Sequence, residues 1–306
     1  MIRRKFLKNG VLAISASSLL GTKGFTQPNQ NENSDPFSMD FAPHPNMFQH
    51  SAGSSLIDQI KFMADKGFRS FEDNDMAKRS IDDQKILGQL LNSLKMRMGV
   101  FVAHKIYWNE PTLTSGKKEF IDEFLASIKS SVEVAKRCGA RWMTVVPGHL
   151  DLGKEMGHQT SNVISILRRA CEILEPHNLV MVLEPLNFRD HPGMFLSKSS
   201  QAYEICKAVN SPSCKILFDI YHQQITEGNL IPNIDSYWDE IAYFQIGDNP
   251  GRKEPTTGEI NYLNVFKHIQ NKGYKGILGM EHGNSIPNQE GEKLVIKAYR
   301  NVSQFS

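Results

Sequence analysis

The sequence predicts a (β/α)8 barrel over residues 37–306, and three observations predict it. Short apolar runs alternate with longer stretches of helical period eight times along that span, and such barrels typically take ~250 residues. The apolar runs are continuous rather than alternating, as in parallel strands covered on both faces. Several of them end in a carboxylate or an amide, and in this architecture the C-terminal strand ends gather at one mouth. A doubly wound open sheet is the rival. It would carry a glycine-rich phosphate turn after an early strand, and neither GxGxxG nor GxxxxGK[ST] occurs.

The expected strands are Met39–Ala42, Phe68–Glu72, Met98–Ala103, Arg141–Val146, Val180–Glu184, Lys215–Asp219, Ile241–Ile246 and Gly276–Glu281. Helical patterns fall between them at Ser55–Lys66, Lys85–Ser93, Lys118–Cys138 and Ser161–Glu175, then at Ser199–Val209, Tyr262–Asn271 and Glu290–Asn301. Gly67, Gly139 and Asn178 stand where a residue tolerant of left-handed backbone would end a helix before FRSFE, ARWMTVV and LVMVLE.

Composition supports a globular chain, with 40% hydrophobic and 22% charged residues. The formal net charge of +2 is too balanced for a dedicated nucleic-acid binder. Cys138, Cys171, Cys206 and Cys214 form no CxxC pair and no zinc spacing, so buried free thiols are expected. Residues 1–26 carry Arg3, Arg4, Lys5, Lys8 and Lys23 and no acid. A basic start, the apolar VLAISASSLLG and the polar TQPNQNENSDP follow the order of an export signal. The tract RRKFLK resembles a twin-arginine signal. Residues 1–36 are therefore set apart as signal and linker. The twin-arginine translocase is the expected transient partner, and the periplasm the expected location.

The last four strands each end on an oxygen-bearing side chain: Glu184, Asp219, Gln245 and Glu281, at gaps of 35, 26 and 36 residues. Each gap is one strand-plus-helix unit, so all four side chains point at one mouth. Two glutamates, an aspartate and a glutamine oxygen suit a hard divalent cation, Mg²⁺ or Mn²⁺. Three crowded carboxylates repel one another unless a cation sits among them. His222 follows Asp219 in FDIYH, which suits a hydrogen bond to a substrate hydroxyl. The loop IGDNPGRKEPTTGEINY follows Gln245, and its Arg252 can grip a carboxylate in bidentate fashion.

With EPLN, FDIYH, the run QIGDNPGRKEPTTGEINY and the strand end MEHG, the chain resembles the hydroxypyruvate isomerase family within the xylose-isomerase-like barrels. The resemblance is sharpest from Leu183 to Glu281. It implies that Glu184, Asp219, Gln245 and Glu281 form the metal shell and that Glu184 and Glu281 are the proton-transfer pair. It implies His222 and Arg252 as substrate contacts, to which Glu72 and His104 are added. The expected reaction is an aldose–ketose isomerisation through an enediolate, converting hydroxypyruvate or a related short hydroxy-carbonyl compound to its isomer. A C3 epimerase of free ketoses and a non-catalytic sugar-binding module are the alternatives. A histidine-rich trinuclear zinc enzyme of the same superfamily would want a histidine where Gln245 stands. Apolar residues on the outer helices are compatible with a homo-oligomer.

Overall fold

The computed structural model describes residues 35–305, so the expected export segment lies almost wholly outside the described residues. Among the described residues there are eight parallel strands: β1 (Asp40–Ala42), β2 (Ser70–Phe71), β3 (Arg97–Met98), β4 (Trp142–Val145), β5 (Val180–Leu183), β6 (Cys214–Asp219), β7 (Ile241–Gln245) and β8 (Ile277–Gly279). One ladder runs β1–β8–β7–β6–β5–β4, and β2 pairs with β3. A few hydrogen bonds join the two sheets into a ring. Glu72 N–H donates to the Pro43 carbonyl at 3.1 Å between β1 and β2. Between β3 and β4, Ala103 N–H donates to the Thr144 carbonyl at 3.0 Å and Thr144 N–H to the Phe101 carbonyl at 2.8 Å. These are barrel strands with short ladders: β2 is much briefer than the expected Phe68–Glu72, and β3 shares only Met98 with the expected Met98–Ala103.

Ten α-helices connect and cover the strands among the described residues. They are α1 (Gln49–Ala52), α2 (Leu56–Asp65), α3 (Ile81–Ser93), α4 (Lys118–Cys138), α5 (Met156–Leu174), α6 (Ser199–Val209), α7 (Ile220–Thr226), α8 (Leu230–Tyr237), α9 (Tyr262–Asn271) and α10 (Gln289–Val302). Local chemistry sets many of their ends. Ser80 accepts from Asp83 N–H at the start of α3, Asn261 from Asn264 N–H at α9, and Asn288 from Gly291 N–H at α10. Gly67, Gly139 and Asn178 take φ of 93°, 74° and 54°, the left-handed conformation that the sequence pattern demanded of them.

Most apolar burial falls into two shells, with a small third cluster at Val146, Leu186 and Met194. Ala42, Val100, Val182, Leu217, Tyr243 and Ile277 fill the barrel interior. A larger cluster, including Phe41, Ile128, Leu167, Phe218 and Phe266, packs strands against helices. Both faces of the sheet are thus buried, as continuous apolar strands require. The four cysteines are buried free thiols. Their packing as small apolar groups is the expected one.

Candidate functional site

Because the strands are parallel, their C-terminal ends open on one face, and the strand register aligns the polar residues there. Asp219 on β6 is paired with Gln245 on β7, which is paired with Gly279 on β8, two residues before Glu281. Glu184 directly follows the β5 residue Leu183, which is paired with Ile216 of β6. Glu184, Asp219 and His222 each offer a ligand atom within 4.8 Å of the other two. All three are buried.

Asp219 also caps α7, its Oδ1 accepting from Tyr221 N–H at 2.7 Å and His222 N–H at 3.2 Å. The cap leaves Oδ2 facing the site and fixes where His222 projects. Burial raises the Asp219 carboxyl above its ordinary range, although Arg252 and the capping N–H groups pull the other way. Glu184 is pushed well above the usual carboxylate range, first by burial and then by the charges of Glu281 and Asp219. Burial, with Arg252 next, holds His222 down at about 3, so its ring is neutral.

Arg252 occupies the centre of this charge arrangement. Its Nη2 donates to Glu281 Oε2 at 2.7 Å and to Asp219 Oδ2 at 3.2 Å. Its Nε donates to the Glu281 carbonyl at 3.1 Å. The residue adopts φ 50°, which non-glycine residues seldom do. The loop around it holds that geometry. The buried Asp248 carboxylate accepts from the N–H groups of Asn249, Gly258 and Ile260. Glu254 accepts from Ser285 N–H at 2.8 Å, tying the loop to the segment after β8. Arg252, expected to grip a substrate carboxylate, already compensates two site carboxylates. Glu281 is fixed further by Asn74, whose Nδ2 donates to Oε1 at 2.7 Å.

Gln245 tests whether a divalent cation suits these residues. Its Nε2 donates to Glu72 Oε1 at 2.8 Å, whereas its buried Oε1 has no hydrogen-bond partner. A buried amide oxygen without a donor is costly, and a cation among Glu184, Asp219 and Gln245 would satisfy it. The donor set therefore fits a hard, oxygen-preferring ion.

Two expected substrate contacts are placed otherwise. Glu72 is fully buried inside the barrel and accepts from His44 Nε2 at 2.7 Å, from Gln245 and from the Tyr243 hydroxyl. Its bonds are to protein groups, and its effect is to turn the Gln245 oxygen outward. Burial alone would lower His44, but the charge and hydrogen bond of Glu72 raise it above its ordinary value. His104 has both ring nitrogens engaged: Nδ1 lies 2.9 Å from the Lys105 carbonyl, and Nε2 accepts from Val146 N–H at 3.2 Å. It joins the loops after β3 and β4, and burial lowers it to about 4.

Other residues at the mouth were not singled out from sequence. Trp108 stacks on His191 at 4.9 Å, and His191 lies 5.4 Å from the His222 ring. Asn187 and Asp190 belong to the segment EPLNFRD, whose first four residues were already conspicuous. The contact of Asn187 with His222 joins residues 35 positions apart, and no periodicity of the sequence marks it.

The sequence profile of the Xylose isomerase-like TIM barrel family matches residues 60–301. The hydroxypyruvate isomerase of Escherichia coli (strain K12) is 34% identical over 161 residues, covering 53% of this chain and 62% of that protein. The 2-oxo-tetronate isomerase of Cupriavidus necator is 30% identical over 160 residues, covering 52% of this chain and 62% of that protein. The alignments thus span less than two thirds of these curated relatives. Among solved structures, the 3-keto-D-glucoside 4-epimerase of E. coli superposes with a TM-score of 0.72 at 15% identity, covering 86% of this chain and 98% of that one. That last likeness shows the fold alone. With a profile match across most of the barrel, the chain belongs to the Xylose isomerase-like TIM barrel family.

Proposed function

We propose that the protein is a metal-dependent isomerase that moves a carbonyl to the neighbouring carbon of a short hydroxy-carbonyl acid through an enediolate. Hydroxypyruvate and 2-oxo-tetronate, named by relatives, are the model substrates. The observation that carries this reading is two glutamates, Glu184 and Glu281, facing one mouth beside Asp219 and the unpartnered Gln245 oxygen. Glu184, Asp219 and Gln245 would hold the ion, with Glu281 beside them, and Mg²⁺ or Mn²⁺ is the proposed identity. Such an ion supplies polarisation of substrate oxygens and so acidifies the carbon-bound proton.

The chain's own groups do the rest. Glu184 and Glu281 remove and return the proton on adjacent carbons, and their unlike surroundings separate their roles. Glu184 is buried and crowded by the charges of Glu281 and Asp219, whereas Glu281 is held by Arg252 and Asn74. His222 donates a hydrogen bond to a substrate oxygen. Arg252 stays charged and attracts the substrate carboxylate to the same edge.

A panel of hydroxypyruvate, a four-carbon 2-oxo acid and neutral ketohexoses, run in D₂O, tests the reading. Deuterium incorporation and turnover are expected with the acids. Arg252→Ala should raise KM for the acids by about ten- to a hundredfold, the worth of a charge-assisted bond, and affect ketoses less. Turnover of ketoses alone would instead establish the C3 epimerase. Absence of exchange with every compound would leave the sugar-binding module.

Export is proposed from Arg3 and Arg4 in RRKFLK. That route carries folded proteins, so the ion would be acquired before translocation. Changing both arginines to lysine should trap the precursor in the cytoplasm. If fractionation finds the double variant outside as readily as the parent, the twin-arginine assignment is wrong.

A further inference from the structure

His222 stands close enough to Glu184 and Asp219 to serve as a third metal ligand, with Nε2 at 3.8 Å from Glu184 Oε1 and 3.6 Å from Asp219 Oδ2. Whether it does so depends on which ring nitrogen carries the proton. A ligating Nε2 must offer its lone pair, which puts the proton on Nδ1.

The surroundings of Nδ1 oppose that state. Asn187 N–H lies 3.2 Å from Nδ1, and the Asn187 side-chain Nδ2 lies 2.7 Å from it. The backbone group can only donate. Flipping the amide would not reverse the side chain's role without loss. Asn187 Oδ1 already accepts from Arg189 N–H at 3.0 Å and Asp190 N–H at 2.9 Å, and Nδ2 also donates to Asp190 Oδ2 at 2.9 Å. Asp190 Oδ2 is itself held by the Tyr221 hydroxyl at 2.8 Å. Four hydrogen bonds therefore fix the orientation of one fully buried amide, and the Tyr221 hydroxyl holds its Asp190 partner in place. A proton on Nδ1 would face two donors in a dry setting, which is a costly mismatch.

We propose that Asn187 is a positioning residue that locks His222 in its Nε2–H tautomer, keeping the ring out of the metal shell as a hydrogen-bond donor to substrate. The motif EPLN thus supplies both a site carboxylate, Glu184, and the group that sets the protonation of a residue on the next strand's helix. Gln223 makes the coupling firm, its Nε2 donating to the Pro185 carbonyl at 2.8 Å and so holding α7 against the same segment. The proposal rests on the isomerase reading only for the substrate end of the donor; the tautomer itself is a property of the metal-free protein.

The experiment is ¹⁵N spectroscopy of ring-labelled histidine in the full chain, with His222 assigned by its loss in His222→Gln. Metal-free wild type is expected to show Nε2–H at His222 and to keep it when Mg²⁺ is added. Asn187→Leu removes the side-chain donor and keeps the backbone one, so it should weaken the preference for Nε2–H, with Nδ1–H becoming detectable, and lower kcat by about 10²-fold, as when one preorganised donor is lost. His222→Gln, which keeps an N–H donor, should bind Mg²⁺ within a few-fold of wild type by calorimetry. Observation of Nδ1–H in the wild-type protein overturns the proposal, even if Asn187→Leu does not fold. So does a Mg²⁺ affinity that collapses in His222→Gln. Failure of all isomerase assays, with the tautomer as expected, would count against the functional reading alone.

Discussion

Glutamine at position 184 or 281 is expected to lower kcat/KM by about 10³-fold or more, because general acid–base groups contribute on that scale. Each change is expected to leave the fold intact. Glu184 has no charged or hydrogen-bonded partner closer than His222 Nε2 at 3.8 Å, and its carboxyl is raised by burial and by Glu281 and Asp219. An amide there removes a source of repulsion rather than a support. A carboxyl raised in the folded state binds its proton more tightly folded than unfolded. Its contribution to stability is present below the unfolded value and is lost as pH rises through the folded one. Glu184→Gln should therefore be at least as stable as wild type at neutral pH without added metal, measured by thermal melts across pH. Glu281→Gln gives up the charge of its pair with Arg252, but its side chain is partly exposed and Asn74 still holds it. Deuterium exchange at saturating Mg²⁺ separates lost proton transfer from weakened metal binding. Wild-type turnover in either variant sinks the assignment of the pair.

Much of this site was legible because barrel geometry converts sequence spacing into spatial adjacency. Each of Glu184, Asp219, Gln245 and Glu281 ends an apolar run, and parallel strands bring such ends to one face. The structure places them there through the pairing of Asp219 with Gln245 and of Gln245 with Gly279. What was hidden lies in side-chain contacts without periodicity. Glu72 ends its apolar run like the others, so nothing in the pattern separates it from them. It differs because His44, Tyr243 and Gln245 converge on it inside the barrel. His104 and His222 are both strand-end histidines; only the loops that reach their nitrogens decide which one faces the mouth.

Three helices escaped for local reasons, and the first, α1, has only four residues, too few to show a helical period. The α7 residues IYHQQIT are short and rich in β-branched and aromatic types, which lowers helix propensity, and their start depends on the Asp219 cap. In α8, LIPNIDSY carries Pro232 in the first turn. A proline is tolerated there because the N–H it lacks would have no partner in the helix. Read along the sequence, the same residue looks like a breaker.

Gly279→Ala is expected to be strongly damaging, and its effect should reach the functional site. A Cβ at that position would lie 2.0 Å from Glu72 Oε2 and 2.6 Å from its carboxyl carbon. Neither side has room to yield. Gly279 is paired on one edge with Ala42 of β1 and on the other with Gln245 of β7, so its backbone is held by both neighbours. The Glu72 carboxylate is fully buried and shared among His44, Tyr243 and Gln245, so moving it breaks several bonds to a buried charge. Disrupting such an arrangement costs about 3–5 kcal/mol, which a shift in the urea midpoint would read. The effect should reach the mouth as well. Without Glu72 to hold its Nε2, Gln245 loses the orientation that turns Oε1 outward. Mg²⁺ affinity should then fall by about ten- to a hundredfold, the scale set by partners that orient a ligand. Glu72→Ala in the Gly279→Ala background removes the collision, so the two changes should be strongly non-additive in a double-mutant cycle. A single Gly279→Ala variant within about 1 kcal/mol of wild type, the ordinary size of a point-mutation effect, with unchanged Mg²⁺ binding, would show that Glu72 is free to move and does not set Gln245.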